Sequence, residues 1–251
     1  MPETQVGDIS IYYEVKGSGY PLLMIMGLSF SLLDWGDVFL DELAKHYQVI
    51  VFDNRDSGRT KSQSTDNYTT ADMANDAAGL LNALGIAQAH VLGLSMGGMI
   101  AQLFALRHAS KLNKLILSCT MAGGDCSDFN PNNQGDLLDL LFPESYLAIS
   151  NNREKAEDFF KKTSLYHSQP DGLSRLIQAH NTHDTCNFLQ GIKAPTLIIT
   201  GDSDSVIPPV NSNILNNKIS GSELKIIKQA GHGFLYSHTA EFAKILIDFL
   251  S

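Results

Sequence analysis

The stretch Val91-Leu92-Gly93-Leu94-Ser95-Met96-Gly97-Gly98 constrains this chain more than any other. A short apolar run ends in a serine set between glycines, and a pattern with helical spacing begins at once. A buried strand that turns straight into a helix strains its apex residue and crowds the positions two residues to either side, where only glycine fits. Ser95 is thereby presented at the end of a strand as a candidate nucleophile. Composition alone gives roughly 0.14 matches to G-x-S-x-G in a chain of this make-up, so the pattern gains meaning only from the elements around it.

Those elements alternate. Residues 9–15 read as a strand, and 4–6, ahead of Gly7-Asp8, are expected to pair with it as an opening hairpin. Apolar runs at 22–26, 49–52, 90–94, 115–119 and 196–200 predict strands buried on both faces. Helical spacing at 32–47, 70–84 and 96–108 separates them, with Thr69-Thr70-Ala71-Asp72 supplying a cap and first-turn acid and Gly85 a stop. This alternation predicts an α/β fold: a mostly parallel central sheet with helices on both faces and functional residues at the carboxyl ends of its strands. From Ala122 to Gly191 the alternation lapses into amphipathic helical pattern, too long for a structureless loop. We expect a helical lid at 122–190, inserted into a core domain of residues 1–121 and 191–251. Its apolar residues, Leu137, Leu140, Leu173 and Ile177 among them, either line a pocket or pack the lid on the core. A helix at 209–217, a strand at 224–227 and a helix at 239–250 complete the pattern.

Composition excludes several classes of function. A net charge of −9 with 18 scattered basic residues argues against nucleic acid and against an anionic membrane surface as partners, and leaves a homodimer open. Three cysteines, Cys119, Cys126 and Cys186, are odd in number and lack C-x-x-C spacing, so free thiols in a reducing compartment are expected. The first residues have no basic segment, and 22–26 is too short for a signal or a membrane span; the expected location is the cytoplasm.

A serine hydroxyl is a poor nucleophile at neutral pH and needs an imidazole, itself oriented by a carboxylate. Of eight histidines, His232 is favoured, because Ala230-Gly231-His232-Gly233 is a flexible loop following the last predicted strand. His46, His90, His108 and His238 lie in or beside elements where structural or surface roles suffice. His180, His183 and Asp184 invite a metal, but a helix end followed by a capping Asp accounts for them, so no metal or other cofactor is expected. For the carboxylate, Asp202 and Asp204 follow the strand at 196–200; Asp204 is preferred, Asp202 is read as a turn cap, and Asp125 is a distant third.

Taken together, these pieces resemble the α/β-hydrolase fold superfamily over nearly the whole chain. Gly93-Leu94-Ser95-Met96-Gly97 resembles its nucleophile elbow, Gly201-x-x-Asp204-x-x-x-Pro208 its acid loop, and Gly231-His232 its terminal histidine loop; the order Ser95, Asp204, His232 is that of its triad. Asp53-Asn54-Arg55-Asp56-Ser57-Gly58-Arg59-Thr60 resembles the Asp-x-Arg-x-x-Gly-x-Ser/Thr loop of the esterase, enol-lactonase and methylesterase branches, where it is chiefly structural. One departure stands out: the family's usual His-Gly pair after the strand at 22–26 is Met26-Gly27 here. The resemblance implies an oxyanion hole built from the backbone N–H groups of Leu28 and Met96, which a side-chain change leaves in place. It also implies hydrolysis of a small carboxylic ester or lactone through an acyl-enzyme. The same site serves carbon–carbon bond hydrolases, acyltransferases and perhydrolases, and a low-turnover ligand receptor is the rival outside enzymology.

Overall fold

The computed structural model describes residues 2–129 and 135–251, so residues 130–134 of the expected lid lie outside the described residues. The opening hairpin forms as expected. Strands β1 (Glu3–Val6) and β2 (Ile9–Lys16) pair antiparallel with Val6 opposite Ile9, and Gly7 supplies the positive φ of 54° that a two-residue turn needs. The chain continues through β3 (Tyr20–Ile25), α1 (Asp37–Ala44), β4 (Tyr47–Phe52), the short β5 (Lys61–Ser62), α2 (Thr70–Ala83), β6 (Ala89–Leu94), α3 (Met96–Arg107) and β7 (Leu112–Ser118). Among the described residues four helices follow, α4 (Leu137–Leu141), α5 (Glu144–Leu147), α6 (Asn152–Thr163) and α7 (Pro170–Asn181), before β8 (Thr196–Gly201), α8 (Val210–Lys218), β9 (Glu223–Ile227), α9 (Phe234–Ser237) and α10 (Thr239–Leu250).

The strands form one sheet in the order β1-β2-β4-β3-β6-β7-β8-β9, with β5 paired to β2. From β4 to β9 every pairing is parallel, and β2 joins β4 antiparallel. Period-two alternation divides the core. Leu23, Ile25 and Val91 face the layer holding Met73 of α2 and Ile100 of α3, while Leu22, Met24 and Leu92 face Phe39 of α1 and Phe242 of α10. Helix α2 starts on a capping box, in which the Thr69 N–H reaches Asp72 at 2.8 Å, and Gly85 at φ 69° ends it. Among the described residues, no helix is long and apolar enough to cross a membrane.

Two expectations are corrected. The run 32–47 is not one helix: Leu32–Trp35 is a single 3-10 turn, Gly36 follows at φ 71°, and Tyr47 already belongs to β4. Asp34 causes the break, since its carboxylate accepts the N–H and hydroxyl of Ser31 at 2.9 and 3.1 Å and closes the turn on itself. Nor are all three thiols free, because Cys126 and Cys186, 60 residues apart, form a disulfide and only Cys119 is unpaired. The return of the chain after α7 makes that pair: Gly123 bridges to Asp184, and the Thr185 N–H donates to the Ala122 carbonyl at 2.8 Å. Cysteine usage therefore gives no argument for a reducing compartment.

The segment 53–60 ties these layers together at the carboxyl end of the sheet. Asp53, fully buried, accepts the N–H groups of Leu32 at 2.7 Å and Arg59 at 2.8 Å, and burial pushes its carboxyl above the ordinary range. Gly58 sits at φ 58°, and a Cβ there would lie 2.1 Å from the Asp53 carboxyl. Thr60 donates to the Asp53 carbonyl at 2.6 Å and accepts the Tyr12 N–H at 3.0 Å, while Arg55 forks onto Asp76 of α2 at 2.6 and 2.8 Å. Asp53→Ala strands one buried and one part-buried N–H donor, so urea unfolding is expected to show a loss of about 2 to 4 kcal/mol. A loss below about 1 kcal/mol would mean that the loop is held by something else.

Candidate active site

Ser95 joins β6 to α3 at φ 58°, ψ −122°. Such a conformation costs on the order of 1 to 3 kcal/mol and persists only where the surroundings enforce it. Its N–H donates to the Ser118 carbonyl on β7 at 2.9 Å. A Cβ on Gly93 would fall 2.2 Å from the Gly97 carbonyl oxygen, and one on Gly97 would fall 2.0 Å from the Ile25 carbonyl oxygen. Both glycines are required by close approach and not by a positive φ. Gly27, in the loop after β3, abuts the serine: its Cβ would lie 3.1 Å from Ser95 Cβ. Asn54 fixes that loop from below, donating from Nδ2 to the Met26 carbonyl at 3.0 Å.

The structure brings Ser95, Asp204 and His232 together. Asp204, in the loop after β8, accepts the N–H groups of Val206 and Ile207 on Oδ1, both at 2.9 Å, and its Oδ2 takes His232 Nδ1 at 2.8 Å. His232 Nε2 stands 3.0 Å from Ser95 Oγ. A carboxylate oxygen only accepts, so Nδ1 carries the proton and the Nε2 lone pair faces the serine hydroxyl. Asp204 and His232 are buried. Asp202 does not join them; it accepts the Ser203 hydroxyl at 3.0 Å and lies 3.7 Å from Lys228. Asp125 is exposed on a 3-10 turn. Leu28 lines the cavity above Ser95, while Met96 opens α3, where the first N–H groups have no intrahelical acceptor.

His46, His90, His108 and His238 are engaged elsewhere or exposed. His90 packs between Tyr20 and Tyr47, His108 bonds Asn75 at 2.9 Å, His238 bonds Ser237 at 2.8 Å, and His46 is exposed. His183 bonds Thr70 at 2.9 Å, and Asp184 accepts the Cys186 N–H, so this trio does not converge on one point. Among the described residues, the groups near enough to share an ion are Cys119, Asp204 and His232. Burial pushes the Cys119 thiol well up, which keeps it protonated and a poor ligand.

A cavity of about 540 Å³ opens on Ser95 and His232. The helices between β7 and β8 wall it with Leu137, Leu140, Leu141, Leu173 and Ile177, whereas Leu138, Phe160 and Leu176 are buried in packing. Its polar lining includes His167, His180, Asn181 and Tyr236, and among the described residues no Lys or Arg reaches it. His167 carries no signal in the sequence: it stands in a loop just before α7, outside any periodic pattern.

A parallel sheet whose strand ends raise a serine against a histidine and an aspartate in this chain order defines a class of hydrolase. The chain belongs to the alpha/beta hydrolase fold family, which matches it over residues 20–239, and it is an enzyme of the hydrolase class. It is 28% identical over 259 residues to a protein of Caulobacter sp. (strain K31) named as the carbamate hydrolase RutD, covering 96% of each chain. Among solved structures, it is similar to a thermophilic esterase from Thermogutta terrifontis, with TM-score 0.83, 26% identity and coverage of 96% and 93%. It also shares its fold with the enol-lactonase from Burkholderia xenovorans LB400, with TM-score 0.87, 24% identity and 99% of each chain covered.

Burial holds His183 down to about 4 from an ordinary 6.5. Below pH 6.5 the unfolded chain takes up a proton that the folded chain refuses until about pH 4, so stability is full above that window and lost as pH falls through it. Between pH 7 and pH 5 the protein is expected to lose about 2 kcal/mol more unfolding free energy than His183→Asn does. Parallel pH slopes for the two proteins in urea titrations would refute the assignment.

Proposed function

We propose that the protein hydrolyses small, neutral carboxylic esters or lactones through an acyl-enzyme. Ser95 is the nucleophile, His232 the general base and then acid, and Asp204 the group that orients the imidazole and stabilises its positive form. The observation that supports this most is the continuous hydrogen-bond line from Asp204 through His232 to Ser95, at 2.8 and 3.0 Å, ending in an apolar cavity.

Ser95 Oγ adds to the substrate carbonyl carbon as its proton passes to His232 Nε2. The tetrahedral oxyanion is held by the N–H groups of Leu28 and Met96, each worth about 3 kcal/mol of transition-state stabilisation. Collapse breaks the bond to the leaving alkoxide, which takes the proton from His232. Water, deprotonated by the same imidazole, then adds to the acyl carbon, and collapse breaks the bond to Ser95 Oγ, which takes the proton back from His232 as the acid leaves. Residues 122–190 act as the lid, and their leucines form the wall against which the acyl or alcohol part lies. The substrate is assigned as neutral because an anion entering this chamber would be desolvated with no Lys or Arg among the described residues to meet it. Likeness to a named esterase and a named carbamate hydrolase supports acyl chemistry.

Ser95→Ala is expected to abolish labelling by a fluorophosphonate probe and to lower kcat on p-nitrophenyl butyrate by about 10⁴-fold or more, with Asp204→Asn close to 10⁴-fold. Undiminished labelling of the Ser95 variant would overturn the nucleophile. The neutral butyrate ester should also exceed the negatively charged p-nitrophenyl hemisuccinate in kcat/KM by about 10-fold or more. The opposite preference would overturn the substrate class.

A further inference from the structure

The loop that carries Leu28 has no imidazole at Met26 to fix it, yet it holds a demanding shape: Ser29 sits at φ 71°, which an L-residue keeps only under constraint. The constraint comes from Tyr166-His167-Ser168, a segment in the connection between β7 and β8. Ser168 donates both its N–H, at 3.0 Å, and its hydroxyl, at 3.3 Å, to the Ser29 carbonyl. The His167 ring lies on Phe30 with centroids 4.7 Å apart and donates from Nε2 to Asp34 Oδ1 at 3.1 Å. Asp34 Oδ2 takes the N–H and hydroxyl of Ser31. Ser29, Phe30 and Asp34 are thus gripped from one short segment, and Ser31 is held through Asp34. The segment is clamped in turn by the Gly58 N–H on the Tyr166 carbonyl at 2.9 Å and by the Ser57 hydroxyl, 3.0 Å from that of Ser168.

We propose that His167 is a positioning residue for the reaction: acting through Asp34, it fixes the loop 28–31 so that the Leu28 N–H meets the oxyanion. This rests on the assignment of Ser95 and Leu28 made above. Asp34 is fully buried, and among the described residues its carboxylate makes no ion pair with Lys or Arg. Without His167, Oδ1 has no donor among the described residues, and a buried carboxylate oxygen in that state shifts to find one. Because the other oxygen holds Ser31, that shift moves the loop. Formation of the oxyanion site therefore depends on docking of the inserted helices on the core, and the docked arrangement is the competent one.

The test compares His167→Ala with His167→Gln, whose side-chain amide can return a donor near the Nε2 position. Turnover of p-nitrophenyl butyrate is measured beside inhibition by an alkyl trifluoromethyl ketone, which adds to a serine as a tetrahedral oxyanion. His167→Ala is expected to lower kcat about 10- to 100-fold with KM changed by about twofold or less, and to weaken the ketone by the same factor as kcat. His167→Gln is expected to recover most of both losses. Wild-type kcat in His167→Ala, or a fall in kcat with unchanged ketone affinity, overturns the proposal. Should His167→Ala not fold, Ser168→Ala removes one of the two bonds to the Ser29 carbonyl and is read in the same way, with parallel losses of about 3- to 10-fold expected and none overturning it. Turnover retained in Ser95→Ala overturns the underlying reading and this proposal with it; turnover lost there while His167→Ala stays at wild-type rate overturns this proposal alone.

Discussion

A carboxylate can be buried only where hydrogen-bond donors meet its charge, and Asp53 imposes that condition on the whole carboxyl end of the sheet. Its two oxygens take N–H groups from Leu32 and Arg59, so the loop after β3 and the loop after β4 must lie against each other. Asp34, Asp76 and Asp204 repeat the device with Ser31, Arg55 and the 206–207 backbone. Each is costly to leave unpaired, which turns otherwise free loops into parts with one arrangement. The elbow at Ser95 needs such neighbours, because the room for Gly97 is bounded by the Ile25 carbonyl.

The segment 53–60 consequently does more than brace the core. Asn54 holds the Met26 carbonyl, Arg55 reaches α2, and Asp56 accepts the fork of Arg175 of α7 at 2.8 and 2.7 Å. The core, the loop beside Ser95 and the inserted helices are therefore joined through one stretch of eight residues. Movement of the inserted helices as a rigid unit must break the Asp56–Arg175 pair together with the Tyr166 and Ser168 contacts. Partly buried, forked pairs of this kind resist opening more than an exposed ion pair does.

The parts of this arrangement that were legible in the sequence are those whose cause is local. Strand-turn-helix crowding writes glycines around Ser95, burial on two faces writes continuous apolar runs, and a loop after each strand offers Asp204 and His232 in the right order. Even the choice of Asp204 over Asp202 has a local cause, since Oδ1 of Asp204 closes on the N–H groups two and three residues ahead. What was hidden is made by distant returns of the chain. His167 and Asp34 are 133 residues apart, and Cys126 and Cys186 are 60 apart, with nothing periodic at either end. The break at Gly36 was hidden for a related reason: the apolar spacing of 32–47 suits a helix, but Asp34 prefers Ser31 and leaves the next turn to start afresh.

The same division separates chemistry from specificity. The three groups proposed to move protons and form bonds stand on loops that end strands of the core, whose positions follow from the sheet. The wall of the cavity above Ser95, where the proposed substrate lies, comes largely from α4 and α7, held by the less regular contacts of the inserted helices. Leu140 and Ile177 can change without disturbing a hydrogen bond of the serine, histidine and aspartate, so substrate size can vary while the reaction stays the same. Charge is different. A Lys or Arg placed on that wall would be desolvated among leucines unless an anionic substrate came with it, so a lining that, among the described residues, has neither suits the neutral substrate proposed.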